Sequence, residues 1–188
     1  FMGCRNLQSI KFGDGITLIG PNTFYNCSNL QEFKGKFASE DGRCLIINGV
    51  LNSIAPAGLT EYTIPNSVTE IGAQAFQYCS SLTSVTIPDS VKKIGIRAFD
   101  NCSNLTNVTI GKGITEIGEG AFYDCNNLTS IYISDIAAWC NINFVSYYEN
   151  PLCYGANLYL NNELVTDLTI PDSVTTIGEY AFYNCDSL

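Results

Sequence analysis

FQYCSSLTSVTIPDSVKKIGIRA (residues 76–98) runs directly into FDNCSNLTNVTIGKGITEIGEGA (residues 99–121), and FYDCNNL (residues 122–128) begins the phrase a third time. Phe76, Cys79, Leu82, Val85, Ile87, Val91, Ile94, Gly95 and Ala98 return 23 positions later as Phe99, Cys102, Leu105, Val108, Ile110, Ile114, Ile117, Gly118 and Ala121. Self-similarity at a period of about 20 to 29 residues marks a solenoid whose coils each carry one strand. The expected fold is therefore β-rich: an array of about eight coils stacked through a parallel sheet.

Working outward, Phe-x-x-Cys-x-x-Leu recurs from Phe1, Phe24, Phe76, Phe99, Phe122 and Phe182. The two long gaps each hold a coil plus an insertion, at about residues 37–60 and 134–165. Both ends of the sequence fall inside a unit, so residues 1–188 are expected to be a single solenoid domain cut from a longer array. Val85-x-Ile87 has the alternation of a strand buried on one face, and Pro88-Asp89-Ser90 closes it with good turn chemistry. Val91 and Ile94 point inward on the return path. Gly20, Gly72, Gly95, Gly118 and Gly178 then mark either a positive φ or an approach too close for a side chain.

In the first insertion, Asn48-Gly49 interrupts the apolar run Cys44 to Leu51 and predicts a β-hairpin. Its second arm, Leu51 to Ala55, is expected to join the stack before Tyr62-Thr63-Ile64 resumes it. In the second, Asp135 is placed to cap a short helix over Ile136 to Ile142, Tyr147 to Pro151 reads as loop, and Leu158 to Val165 reads as another hairpin. Trp139 has two readings: core of the insertion or exposed ligand anchor.

The unit Leu-x-x-Val-x-Ile-Pro-x-x-Val-x-x-Ile-Gly-x-x-Ala-Phe-x-x-Cys resembles the BspA-like leucine-rich repeats of bacterial and protist surface proteins. Ala-Ala-Trp139-Cys, Asn150-Pro151-Leu152 and Tyr159-Leu160-Asn161 resemble interruptions found in that family. Departures are Gly111 for the strand-closing Pro, Thr23 for the Ala before Phe24, and Gly35 in a strand. The resemblance implies a right-handed leucine-rich-repeat array with a concave parallel sheet. It also implies a cell-surface or secreted location and an adhesive role toward a protein or glycan of a host or neighbouring cell.

Composition narrows the chemistry. Nine Lys plus Arg against eighteen Asp plus Glu give a net charge of −9, with no basic stripe to displace counterions from a nucleic acid or to meet an anionic membrane. No apolar run approaches the ~20 residues that cross a bilayer. The chain has no histidine, which removes His-based triads, imidazole metal sites and the commonest general base. Six of nine cysteines share one repeat position without Cys-x-x-Cys spacing and read as buried thiols. In-register side chains keep Cβ atoms about 5 Å apart, which argues against a disulfide ladder; a Cys140 to Cys153 bridge stays open. Gly111-Lys112-Gly113 reads as a turn rather than a phosphate loop. Glu116 and Glu119 lie on an extended path and are not an acid-base pair, and the Asn-x-Ser/Thr sites at Asn26, Asn101, Asn104, Asn107 and Asn127 follow from composition. No enzyme, cofactor or metal is expected.

The sheet face remains. With Val85 and Ile87 inward, one outward column reads Ser9, Glu32, Glu61, Ser84, Asn107, Ser130, Asp167, and the next Lys11, Lys34, Thr63, Thr86, Thr109, Tyr132, Thr169. At about 4.8 Å per strand they form a strip of roughly 35 to 40 Å. The strip is either a solvated face or a docking surface. The candidate contacts are Lys11, Glu32, Lys34, Glu61, Ser84, Thr86, Asn107, Thr109, Ser130, Tyr132, Asp167 and Thr169. A spacer role, with binding elsewhere in a longer protein, is the alternative.

Overall fold

The computed structural model describes residues 1–20, 22–144 and 146–188. In chain order the strands are β1 (Ser9–Phe12), β2 (Glu32–Gly35), β3 (Cys44–Ile47), β4 (Val50–Ile54), β5 (Glu61–Thr63), β6 (Glu70–Ile71), β7 (Ser84–Ile87), β8 (Lys93–Ile94), β9 (Asn107–Ile110), β10 (Glu116–Ile117) and β11 (Ser130–Ile133). Helix α1 (Ile136–Cys140), two 3₁₀ turns (Tyr147–Glu149 and Pro151–Tyr154), β12 (Asn157–Leu160) and β13 (Glu163–Leu164) complete the chain.

These elements wind into a β-solenoid. Strands β5, β7, β9, β11 and β12 run parallel as successive rungs of a six-stranded sheet, with β13 folded back on its edge. The pairing Val85↔Val108 and Ile87↔Ile110 is the 23-residue repeat made physical. Return paths β6, β8 and β10 pair in parallel on the other side. Between the two, the Pro-x-x-Val turn closes with Val91 N–H donating to the Pro88 carbonyl at 3.1 Å.

The core is a row of rings. Phe76, Phe99 and Phe122 are fully buried, with centroids 4.8 and 5.2 Å apart and near-parallel planes, an offset stack worth about 0.5 to 1.5 kcal/mol beyond area burial. Around it the coils are tied by identical bonds. The Thr83, Thr106 and Thr129 hydroxyls donate to the carbonyls of Thr60, Thr83 and Thr106 at 2.9, 3.0 and 3.3 Å. The Cys102 and Cys125 thiols donate to the Phe76 and Phe99 carbonyls at 3.1 Å.

At Gly72, Gly95, Gly118 and Gly178 the repeated glycine is explained by proximity, whereas a Cβ on Gly20 would meet only the Thr23 hydroxyl at 3.8 Å. A Cβ on Gly95 would lie 2.6 Å from the Ala73 nitrogen and one on Gly178 2.3 Å from the Ile142 carbonyl oxygen, distances that real Cβ atoms do not show. Positive φ falls instead at Gln74, Tyr78, Arg97, Asn101 and Asp124, positions the sequence reading passed over. Gln74, Tyr78, Arg97 and Asn101 each send their N–H to a carbonyl of the following coil, at 3.0, 2.9, 3.0 and 2.8 Å. An inter-coil bond thus offsets a left-handed conformation that costs about 1 to 2 kcal/mol.

Both predicted hairpins form: Asn48-Gly49 and Asn161-Asn162 have positive φ at both turn positions, the type I′ signature. The first differs in its destination. β4 joins the stack through Leu51↔Ile71, on the return-path sheet, so β1 and β2 form a separate two-stranded sheet. Leu45 packs with Phe12, Phe24, Phe33 and Ala55, whereas Cys44, Leu51 and Ile54 join the main cluster. The hairpin is a wall between two cores, where the repeat implied one continuous interior.

Asp135 caps α1, accepting from the Ala137 and Ala138 N–H groups at 2.9 and 3.0 Å. The helix ends at Cys140, and the presumed loop from Tyr147 is the pair of 3₁₀ turns. β12 then pairs with β11, displacing residues 167–169, which form no strand. Among the described residues the face carries seven parallel strands, two in the first sheet and five in the second, not eight. Trp139 is core: its Nε1–H donates to the Ala181 carbonyl at 2.9 Å, and the fully buried Asn150 amide donates to the Tyr180 carbonyl at 2.6 Å.

All nine thiols are free, including Cys140 and Cys153. A hydrogen bond with Cys102, then burial, pushes the Cys125 thiol up, and burial pushes Cys44 to about 12.

Three outcomes are expected. Phe99→Ala lowers stability by about 3 to 5 kcal/mol and Thr86→Ala by under about 0.5 kcal/mol in chemical denaturation, and a near-neutral Phe99→Ala would contradict the ring row. Cys4 departs from the expected burial of the ladder because no coil precedes it in the structure to cover it, so alkylation of the native chain at pH 8 modifies exposed Cys4 first, with the five buried ladder thiols reacting only in denaturant. Because a raised thiol pKa favours the protonated folded state, stability is full below about pH 9 and falls as pH rises toward about 12. Urea midpoints between pH 7 and 10.5 should therefore decline less steeply in Cys44→Ala.

Candidate functional site: the outer face of the sheet

Alternation along each strand sends Val85, Ile87, Val108, Ile110, Ile131 and Ile133 inward and leaves two polar columns outside. Glu61, Ser84, Asn107 and Ser130 are brought into one column, and Thr63, Thr86, Thr109 and Tyr132 into the next. Ser9, Glu32, Lys11 and Lys34 lie on the separate first sheet, paired Ser9↔Glu32 and Lys11↔Lys34. There the Lys34 ammonium meets the Glu32 carboxylate at 2.6 Å with both side chains about half exposed, a pair worth about 0 to 1 kcal/mol.

Asp167 and Thr169 are not brought to this face. Asn157 and Tyr159 of β12 hold the next rung, opposite Ser130 and Tyr132. The Tyr132 and Tyr159 rings stack at 4.8 Å and 22°. The alternation Leu158-x-Leu160 carried the signal for this pair, since it turns Asn157 and Tyr159 outward as Val85-x-Ile87 does Ser84 and Thr86.

Beyond the strand ends the face deepens into an open trough of about 710 Å³. Its lining includes Thr86, Thr109 and Tyr132 and the turns at Pro88-Asp89-Ser90 and Asn161-Asn162, together with Asn66 and Ser134. The glycines of Gly111-Lys112-Gly113 are required by contact with the turn below. Added Cβ atoms would meet the Pro88 carbonyl carbon at 2.4 Å and the Asp89 carbonyl at 2.0 Å. Lys112 N–H donates to Asp89 Oδ1 at 3.0 Å and its ammonium lies 3.8 Å from Oδ2.

One constellation elsewhere resembles reactive chemistry. The Cys44 sulfur lies 3.0 Å from the Tyr62 hydroxyl, which reaches Asp41 Oδ1 at 3.5 Å. Burial acts to raise the Asp41 carboxyl, but hydrogen bonds from the Ser39 hydroxyl, the Arg43 N–H and Tyr62 hold it below its ordinary value. With Cys44 at about 12, the thiol is protonated at neutral pH and supplies no nucleophile. Among the described residues, no group of three or more His, Cys, Asp or Glu is arranged to hold a metal, and no helix is long and apolar enough to cross a membrane. At the glycosylation-type sites, the Asn104 and Asn127 amides donate to the Ser80 and Ser103 carbonyls at 2.7 and 2.6 Å, as rungs of another inter-coil ladder.

The chain is similar in structure to a leucine rich cell surface protein from Faecalibacterium prausnitzii, at 29% identity and TM-score 0.59, over 97% of this chain and 46% of that one. It is also similar to a leucine-rich repeat protein from Eubacterium ventriosum (19% identity, TM-score 0.54, 94% and 58% covered) and to the pneumococcal vaccine antigen PcpA (15%, 0.57, 93% and 49%). These last two likenesses bear on the fold alone, and the chain spans about half the length of the structures it matches. No curated protein matches it. The family described as BspA type leucine rich repeat region matches in six copies over residues 1–39, 55–149 and 153–188. The 23-residue rungs, the Phe and Cys ladders and these six matched copies together make the chain a member of the BspA-type leucine-rich-repeat family.

Proposed function

We propose that this chain is a non-enzymatic binding module of a surface or secreted protein, presenting the outer face of its long-strand sheet to a protein or glycan partner. The observation that carries the reading is the stacked Tyr132–Tyr159 pair on a face otherwise built of hydroxyl, amide and carboxylate side chains. Tyrosine offers a large amphipathic contact at little entropic cost and is enriched where interface energy concentrates. The backbone beneath it is pinned on both sides by parallel pairing, so little ordering is left for the moment of binding. A surface setting is supported by the family and by the F. prausnitzii relative, itself a cell surface protein. A non-catalytic role is supported by membership of a family defined by its repeat scaffold and by the protonated Cys44.

The competing reading is a spacer. Binding of the chain to an array of extracellular proteins and glycans, repeated with Tyr132→Ala, Lys34→Ala and Glu32→Ala, separates the two. A docking face is expected to lose about tenfold or more in affinity in at least one variant while all three keep the parent melting temperature. Unchanged affinity in all three would assign the array a spacing role.

A further inference from the structure

We infer that the trough beyond the ends of β7, β9 and β11 is a subsite for a neutral oligosaccharide, with the Tyr132 ring as its stacking platform. The inference deepens the docking-face reading and rests on it.

Shape is the first argument. The trough offers about 710 Å³ and is open to solvent, which suits a ligand lying along the surface rather than one enclosed on most sides. The second is unspent hydrogen bonding. Thr83, Thr106 and Thr129 use their hydroxyls to tie coil to coil. Among the described residues, the Thr86 and Thr109 hydroxyls and the Asn161 and Asn162 amides make no such bond, and all four residues line the trough. Ser90 lines it too, and its hydroxyl oxygen is buried with no partner. Asn161 and Asn162 are fixed by the β12–β13 turn, at φ of 53° and 69°, so their positions are set before any ligand arrives.

Charge is the third argument. Asp89 is the single charged lining residue, and Lys112 balances it with both an N–H bond and an ammonium. A phosphate, a sulfated or sialylated glycan or a polycation would find no countercharge left over. A ligand rich in hydroxyl groups and without charge fits the lining. Fourth, Thr109, Tyr132 and Tyr159 occupy consecutive rungs. The Tyr132 ring covers Tyr159 with one face and turns the other toward Thr109. A pyranose seated above the short Thr109 side chain would put its C–H side on that ring face and its hydroxyls toward the Thr and Asn groups.

The test is NMR titration of the ¹⁵N-labelled chain with maltotriose, cellotriose, laminaritriose and N,N′-diacetylchitobiose. At least one probe is expected to shift the Thr109, Tyr132 and Asn161 amides saturably. Tyr132→Ala should weaken it at least tenfold, Tyr132→Phe should retain it, and Lys92→Ala, at an exposed return-path position away from the face, should leave it unchanged. Saturable shifts from none of the four, shifts confined to other residues, or full affinity in Tyr132→Ala would overturn the assignment. If that happens while Lys34→Ala or Glu32→Ala still weakens a protein partner, only the sugar assignment falls. If every variant is silent toward every partner, the docking-face reading falls with it.

Discussion

Each coil of this chain lies on a near copy of itself at strand spacing, about 4.8 Å, and nearly every local choice follows from that constraint. A residue must tolerate its own counterpart directly above and below. Aromatic rings can do so by offset stacking, as Phe76, Phe99 and Phe122 do. Thr, Asn and Cys can because each has a donor to hand to the carbonyl beneath. Like charges do so only at a cost, which the first sheet bears at the exposed pair Lys11 and Lys34, whereas on the return path Lys93 sits between Glu70 and Glu116, bonded to the latter at 2.7 Å. Where the chain must approach closer than a Cβ permits, only glycine remains. The near-buried carboxylate of Asp100 is tolerated because the Gln77 and Asn101 amides both donate to it at 2.6 Å.

The second insertion shows how the constraint is met when the repeat is absent. In the regular array the Phe76 and Phe99 N–H groups donate to the Ala98 and Ala121 carbonyls of the next coil. Before the last unit, the position equivalent to those Phe residues lies outside the described residues, and the Ala181 carbonyl would be costly to leave buried and unpaired. Among the described residues, Trp139 Nε1–H and the Asn150 amide donate to it at 2.9 and 3.1 Å. The insertion therefore acts as a coil of the stack, bringing side-chain nitrogen to a carbonyl of the kind that the array meets with backbone.

Much of the fold was legible because a repeat writes inter-coil contacts into the sequence as identity at a fixed offset. The inward Val85 and Ile87, the Pro88 turn and the two hairpin turns were all readable this way. What escaped is non-local or masked by side-chain identity. Asn-Gly dictates that a hairpin forms but not which sheet β4 will extend, and its choice of β6 divides the core. The left-handed sites escaped because Gln74, Tyr78 and Arg97 are poor left-handed residues whose conformation is forced by a bond to the next coil. At the candidate face, Asp167 and Thr169 keep the right spacing from Pro171 but lose their place to β12, whose Leu158-x-Leu160 pattern fills the rung first. Asn157 and Tyr159 escape the repeat pattern for the same reason: the insertion interrupts the sequence repeat yet continues the sheet.

That continuation bears on function. Two sets of polar atoms bear on it: those consumed in ladders that hold coil to coil, and those on the outer face and around the trough. The first set makes the scaffold stiff, and stiffness is what lets the second set act without first being ordered, since binding affinity is eroded by whatever must be immobilised. Because β12 carries the sheet one rung past β11, Tyr132 is not an edge residue. It is held from behind by Tyr159 and bounded ahead by Thr109. A lone tyrosine on an edge strand would swing with its side-chain rotamers, whereas this one is fixed as a wall. The insertion that breaks the repeat is thus the element that gives the face its most rigid aromatic group.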